Sequence, residues 1–312
     1  MAKVKKPLIS LVIPVLNEEG NLNKLYSELK ENLKGIFYEI IFINDGSEDA
    51  SEKIINNLRR RDNNLKLINL SRNFGHQMAI TCGIDYANGD AAIIMDADLQ
   101  DPPNLIPKFI KKWQEGYDVV YAVRKQREGE KLFKLLSASF FYSIINHLSG
   151  TKIPQNVGDF RLISRNIIDV IRQTREHQRF LRGMISWAGY PQIGIEYQRA
   201  KRFSGSSKYT LVSMTRLAID AILSFSFFPL RIASYIGIAT AIGAVLFIFY
   251  ALYVQSKGIT VKGWSSTIVI ILFLGSVQLI AIGIIGEYMG RIYEEIKKRP
   301  LYIIRSTTGI KK

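Results

Sequence analysis

Residues 93–103 read IIMDADLQDPP, an apolar run that ends in Asp96 and Asp98 with Gln100 and Asp101 close behind. Two carboxylates so near each other offer hard oxygen ligands of the kind Mg²⁺ or Mn²⁺ takes, leaving the other positions of the cation to phosphate oxygens. A cation held this way would carry a diphosphate. Taken alone, Asp96 and Asp98 serve equally well as turn caps ahead of PPNLIPKFIKKW, and both readings stand at this point. Asp101, just before Pro102, reads as the start of the following helix and is left out of the cation shell.

The elements that must position these acids show in the patterning. Up to about Arg124, short β-branched runs alternate with polar, helix-patterned runs, the signature of an α/β domain with a mostly parallel sheet. Expected strands are LISLVIPV, YEIIFIND, LKLINLS, AAIIMDA and DVVYAVR. Expected helices include Asn21 to Leu33 and Ser51 to Arg61, the second started by Ser47 or Asp49. Ligands of such sheets bind beyond the carboxyl ends of the strands. Asn17 and Glu18 fall there after the first strand, Asp45 after the second, and Asp96 and Asp98 after the fourth. His76, at a helix start with no second His or Cys nearby, reads as structural or pocket-lining. No glycine run has the spacing of a dinucleotide fingerprint or a P-loop.

After Arg124 the strand rhythm stops. Residues 130–149 space their apolar side chains three and four apart beside Lys131 and Lys134, which suits a helix lying in a membrane interface or an ordinary core-facing helix. Residues 209–230 carry the same ambiguity, and their continuity with the long apolar run that begins at Ile232 favours the interface. Two uncharged runs, 232–254 and 267–286, are each long enough at helical rise to cross a bilayer core. The link between them holds only Lys257 and Lys262, whereas the tail holds Arg291, Lys297, Lys298, Arg299, Arg305, Lys311 and Lys312. By the positive-inside rule both termini face the cytoplasm. The apolar stretch near the N-terminus is broken by Pro14 and runs into two glutamates, so it is read as a first strand and not a signal peptide. The single cysteine, Cys82, excludes an intrachain disulfide. A net charge of +15 concentrated around the spans and two basic segments points to lipid head groups and not to nucleic acid.

The ordered set VIPVLNEEGNL, INDGSEDAS, NFGHQMAITCGIDYANGD, DADLQDPP and GDFRLISR resembles the family 2 glycosyltransferases of the Rossmann-like GT-A fold. Within them the chain is similar to the polyprenyl-phosphate hexose synthases, a group that includes dolichyl-phosphate mannose synthase. Its terminal hairpin is similar to the bacterial glucosyltransferase branch of GtrB type. This resemblance implies residues 1–129 as a nucleotide-sugar core and 130–230 as the acceptor side with juxtamembrane helices. It further implies 231–290 as a transmembrane hairpin and 291–312 as a cytoplasmic basic tail.

The resemblance also implies roles. Pro14, Asn17 and Glu18 would line the base and ribose pocket, and Asp45 would hydrogen-bond the uracil ring. Asp96 and Asp98, with Gln100, would bind Mg²⁺ or Mn²⁺ on the donor diphosphate. Asp159 faces the acceptor and is usually taken as the base. A phosphomonoester with its second pKa near 6 hardly needs one, so Asp159 is equally read as orienting the acceptor, binding sugar hydroxyls or holding Arg161. In QRAKRFSGSSKY, Arg202, Ser206, Lys208 and Tyr209 match the family's basic loop, with Arg202 on the diphosphate. Arg124, Arg127, Lys131, Arg161 and Lys208 are candidates for the lipid phosphate.

The implied activity is transfer of a hexose, glucose first, from a UDP-sugar to polyprenyl phosphate with inversion. Its setting would be the cytoplasmic face of a bacterial inner or plasma membrane, with a homo-oligomer, a tetramer in that branch, as the assembly. Mannose or a modified hexose is the alternative sugar. A processive polysaccharide synthase is disfavoured by the lack of a Gln-x-x-Arg-Trp motif, and a non-catalytic membrane assembly protein by the intact acids.

Overall fold

The computed structural model describes residues 6–125, 154, 157–198, 228–257 and 263–310. The chain forms two compact units, one of residues 1–214 with 300–312 and the other of residues 215–299.

The first unit is built on an eight-stranded sheet. In chain order its elements are β1 (Leu8–Val15), α1 (Glu19–Asn32), β2 (Phe37–Asn44), α2 (Ser51–Arg59), β3 (Leu65–Leu70), α3 (His76–Tyr86) and β4 (Ala91–Ile94). A short 3₁₀ turn at Pro103–Leu105 leads into α4 (Ile106–Gln114) and β5 (Val119–Arg124). Then come β6 (Val157–Ser164), α5 (Arg165–Gln173), α6 (Leu181–Trp187), β7 (Gln192–Tyr197) and, after the second unit, β8 (Ile304–Thr308). The strand order is β7-β5-β6-β4-β1-β2-β3-β8. β1 pairs in parallel with β2 and β4, and β2 with β3. β6 runs antiparallel between β4 and β5, and β8 antiparallel to β3.

The central strands are apolar on both faces because helices cover both, the expected pattern for parallel strands in such a sheet. Ile9, Leu11, Val12 and Ile13 of β1 and Ile40, Ile41, Phe42 and Ile43 of β2 are all fully buried. The helices bury one stripe each: Leu22, Leu25 and Leu29 on α1, and Ile167, Ile168 and Ile171 on α5.

The five expected strands all form, each within a few residues of its expected bounds. Three further strands were not expected. β6 is a central strand that carries Asp159 and Arg161 in its interior, and charges at such positions read as loop. β8 lies in what read as a basic tail, where the run Arg305, Ser306, Thr307 and Thr308 gives no apolar face. Asp101 does not start the next helix: it is buried and accepts a hydrogen bond from the Tyr197 hydroxyl at 3.0 Å. Asp49 lies just before α2, accepting from Ser51 N at 2.9 Å and from Glu19 N at 3.0 Å, so it ties the starts of α1 and α2 together.

The second unit contains α7 (Phe228–Ser256) and α8 (Trp264–Ile296). The candidate spans within them are Ile232–Val254 and Val269–Ile296, of 23 and 28 residues. A 23-residue helix is about 34 Å long, enough for a hydrocarbon core of about 30 Å. Large apolar side chains stand exposed around both helices, among them Ile238, Leu246, Phe249, Leu279 and Ile282. A helix apolar all round is suited to lipid and not to water. The expected interfacial helices at 130–149 and 209–230 lie outside the described residues, except that 228–230 form the start of α7.

Candidate active site

The carboxyl ends of β1, β2 and β4 and the start of antiparallel β6 meet at one edge of the sheet. The β4–β6 register pairs Ile94 with Arg161. Continued past the last rung, it carries Asp96 and Asp159 to the same imidazole. His76 Nε2 lies 3.2 Å from Asp159 Oδ2 and 3.5 Å from Asp96 Oδ1.

Asp159 is surrounded by donors. Arg182 Nε donates to its Oδ1 at 2.7 Å and Arg182 Nη2 to its Oδ2 at 3.1 Å. His76 and Gln77 Nε2, the latter at 3.4 Å, complete the set on Oδ2. Three of these four contacts crowd Oδ2, and Oδ1 takes Arg182 Nε. Burial by itself would raise the Asp159 pKa, but the charge of Arg182 and the bonds from His76 and Arg182 outweigh it and hold the group well below the usual carboxylate range. Burial would likewise lower His76, yet its bond to Asp159 and the charges of Asp96 and Asp159 push it up to about 9, so the ring is an imidazolium at neutral pH. Gln77 also accepts from Leu181 N at 3.1 Å, which seats the first turn of α6 and with it Arg182.

Arg182 was not anticipated from sequence. The only signal was a charged residue amid Leu181, Met184 and Ile185 on one short apolar helix, and the need for a partner shows only when α6 packs beside β6.

Burial raises the Asp96 carboxyl against the pull of His76, and its Oδ1 is buried without a hydrogen-bond partner. Asp98 is 5% exposed, and its Oδ1 accepts from Gln100 N at 3.1 Å across a turn in which Leu99 adopts a left-handed φ of 60°. Such a conformation in a non-glycine residue is costly and clusters at ligand sites. An unsatisfied buried carboxylate oxygen beside a second carboxylate suits a divalent cation, so Asp96 and Asp98 fit the ion the pattern implies. Among the described residues no cluster of three or more His, Cys, Asp or Glu side chains is arranged to enclose one. The remaining ligands would come from elsewhere.

On the other side of the site the turn after β2 brings Asp45 to the start of α3. Its two oxygens accept from Phe74 N at 2.7 Å and Gly75 N at 3.0 Å, and burial raises its pKa against those bonds. Gly46, with φ of 77°, lies so close to Arg72 and Asn73 that a Cβ would sit 2.7 Å from Asn73 N. Asn17 holds a left-handed φ of 56° and bridges the same turn: its N–H donates to Ser47 Oγ at 3.0 Å, and its Oδ1 accepts from Glu48 N at 2.8 Å. Glu18 N donates to Ser51 Oγ at 3.0 Å, and Pro14 is buried within β1. Asn17, Glu18 and Asp45 are thus brought together.

Two of the expected acceptor-side cations are described. Arg124 ends β5, where its Nε donates to the Tyr197 hydroxyl at 3.4 Å and its Nη2 sits 2.6 Å from where a Cβ on Gly158 would be. A side chain at Gly158 would have to push the Arg124 guanidinium aside. Arg161 is 4% exposed and donates from Nη2 to Gly158 O at 2.8 Å. Arg127, Lys131, Arg202 and Lys208 lie outside the described residues.

With the acids gathered at the edge of a mostly parallel sheet, the comparison with known proteins settles the family. Residues 10–172 match the family described as glycosyl transferase family 2. The chain belongs to that family. Residues 228–292, spanning α7 and most of α8, match a second family, described as the GtrB C-terminal hairpin. The chain is 46% identical over 304 residues to the uncharacterized glycosyltransferase YkcC of Bacillus subtilis, covering 96% of this chain and 94% of the relative. It is 45% identical over 302 residues to the prophage bactoprenol glucosyl transferase homolog of Escherichia coli, covering 95% and 98%. It is also 45% identical over 304 residues to the bactoprenol glucosyl transferase of Shigella phage SfII, covering 96% and 98%. The family fits the geometry: the GT-A-like sheet, the Asp-x-Asp turn and the apolar hairpin all lie where the sequence motifs imply. The protein is a glycosyltransferase.

Proposed function

We propose that the protein transfers glucose from UDP-glucose to bactoprenol phosphate, inverting the anomeric carbon, at the cytoplasmic face of the membrane. The observation that carries this reading is full-length similarity at 45% to relatives named bactoprenol glucosyl transferase, hairpin included. The return of β8 to the sheet of the first unit supports an even number of crossings, since the chain before α7 and the chain after α8 share one folded unit. The excess of Lys and Arg in the tail favours the cytoplasm for that unit.

The residues divide the work. Asn17, Glu18 and Asp45 hold the nucleoside at the β1 and β2 ends. Asp96 and Asp98 would hold Mg²⁺ or Mn²⁺, which when bound supplies counter-charge for the departing diphosphate as a Lewis acid. The acceptor phosphate is mostly dianionic at neutral pH and attacks the anomeric carbon as UDP leaves, so no proton need be removed from it. Asp159 then serves as an anchor: bonded to Arg182, His76 and Gln77, it keeps two cationic groups where charge develops. Catalysis is mostly orientation and charge stabilisation. Arg124, Arg161 and the basic residues outside the described segments are the proposed phosphate contacts. A homo-oligomer belongs to the same reading, and cross-linking in membranes tests it.

The deciding experiment gives purified protein Mg²⁺ or Mn²⁺, a short polyprenyl phosphate and a panel of nucleotide sugars. One polyprenyl-phospho-glucose from UDP-glucose is expected. A growing polymer, or equal transfer to a free prenyl alcohol, would overturn the reading.

A further inference from the structure

Three residues on three neighbouring strands form one rung. Asn44 of β2 faces Asn69 of β3, and Asn69 faces Ser306 of β8. Asn44 and Asn69 are 1% and 2% exposed, although asparagine is disfavoured in strand interiors and a buried carboxamide must have its bonds met. They are met along the rung. Asn44 Nδ2 donates to Asn69 Oδ1 at 2.9 Å, and Asn69 Nδ2 donates to Ser306 Oγ and Glu52 Oε1, both at 3.0 Å. The other Glu52 oxygen accepts from Arg305 Nη2 at 2.6 Å, so β8 holds the rung at two points.

The rung ends at the turn that follows β2. Asn44 Oδ1 accepts from Ser47 N at 2.9 Å, Ser47 Oγ accepts from Asn17 N at 3.0 Å, and Asn17 Oδ1 accepts from Glu48 N at 2.8 Å. Asp45, inside that turn, takes Phe74 N and Gly75 N. The placement of Asn17 and Asp45 therefore depends on a hydrogen-bond chain whose far end is supplied by the last strand of the protein. Further anchors keep that strand in place: Ser71 N donates to Ile303 O at 2.8 Å, and the Tyr302 hydroxyl donates to Asp85 Oδ2 at 2.7 Å.

We propose that Asn69 and Ser306 are positioning residues for the sugar-nucleotide donor, through which the C-terminal strand sets the Asn44–Ser47 turn in its binding conformation. The inference rests on the reading of that turn as part of the nucleotide pocket. Because β8 comes after α8 in the chain, the donor pocket is completed only after the hairpin has been made and the tail has returned to the sheet.

The test uses the full-length protein and measures UDP affinity by calorimetry, donor KM, kcat and the thermal midpoint. Loss of one link should weaken UDP binding and raise donor KM about three- to tenfold, the range expected for one hydrogen bond, with kcat within about twofold. Because Asn69 is buried, Ser306→Val at its exposed position decides, with Asn69→Leu as the second variant. Ser306→Thr, which keeps the hydroxyl, should restore wild-type affinity. Unchanged UDP affinity in Ser306→Val while Asp45→Ala weakens it would overturn the relay alone. Ser306→Thr behaving like Ser306→Val would also overturn it, by showing a strand defect and not a lost hydroxyl. Unchanged affinity in Asp45→Ala would instead remove the nucleotide reading, and the relay with it.

Discussion

Arg182 grips Asp159 through two parallel bonds, Nε to Oδ1 at 2.7 Å and Nη2 to Oδ2 at 3.1 Å, so the aspartate most readily taken for a base is the buried half of a charge-assisted pair. The two residues should act as a unit. Asp159→Asn and Arg182→Ala are each expected to lower kcat/KM about a hundredfold, and the double variant to be little worse than either. A double-mutant cycle on purified protein measures the coupling, and simple additivity would separate the two roles.

Asp96 Oδ1 is buried without a hydrogen-bond partner, and the proposed function gives the Asp96 and Asp98 carboxylates to a cation. Asp98→Asn should reduce transfer by about a thousandfold or more, the scale on which loss of charge stabilisation acts. Chelation of the wild type should match it, and added Mn²⁺ or Mg²⁺ should restore only the wild type. Undiminished turnover in excess chelator would take Asp96 and Asp98 out of the mechanism.

Ser256 ends α7 in the link between the two apolar helices, while β8 belongs to the unit that holds the active site. A cysteine at Ser256, with Cys82 first replaced, should react with an impermeant maleimide added to intact cells. Reaction only after the cells are opened would invert the topology.

Glu39, 5% exposed in β2, accepts from the Ser10 hydroxyl, from Lys66 Nζ and from Asn88 N. Burial alone would raise its pKa, but these bonds, led by Lys66, bring the net shift below the ordinary value. A carboxylate lowered on folding contributes stability that is full above its unfolded pKa and is lost as pH falls through the folded one. Glu39→Gln should therefore cost about 2–3 kcal/mol at neutral pH, and the deficit should shrink below about pH 4. Denaturant titrations at a series of pH values check this, and a deficit independent of pH would mean that the ionised form contributes nothing.

The sequence by itself determined the class of chemistry and the bounds of most elements. Short β-branched runs placed β1 to β5, and carboxylates followed several of them, because local patterning reports burial wherever a strand is apolar throughout. The two apolar helices were legible for the same reason: no water-exposed helix keeps 23 residues of such character. Only the tertiary structure decided the rest. β6 carries charge in a central strand because its partners, Arg182 and His76, come from α6 and α3, and no local pattern announces a pair separated by 23 residues or by 83. β8 is polar because it is an edge strand whose value lies in pairing with β3 and in bonding Asn69, 237 residues earlier. Long-range pairing of polar groups leaves no periodic trace, since any one partner, read alone, looks like a solvated residue.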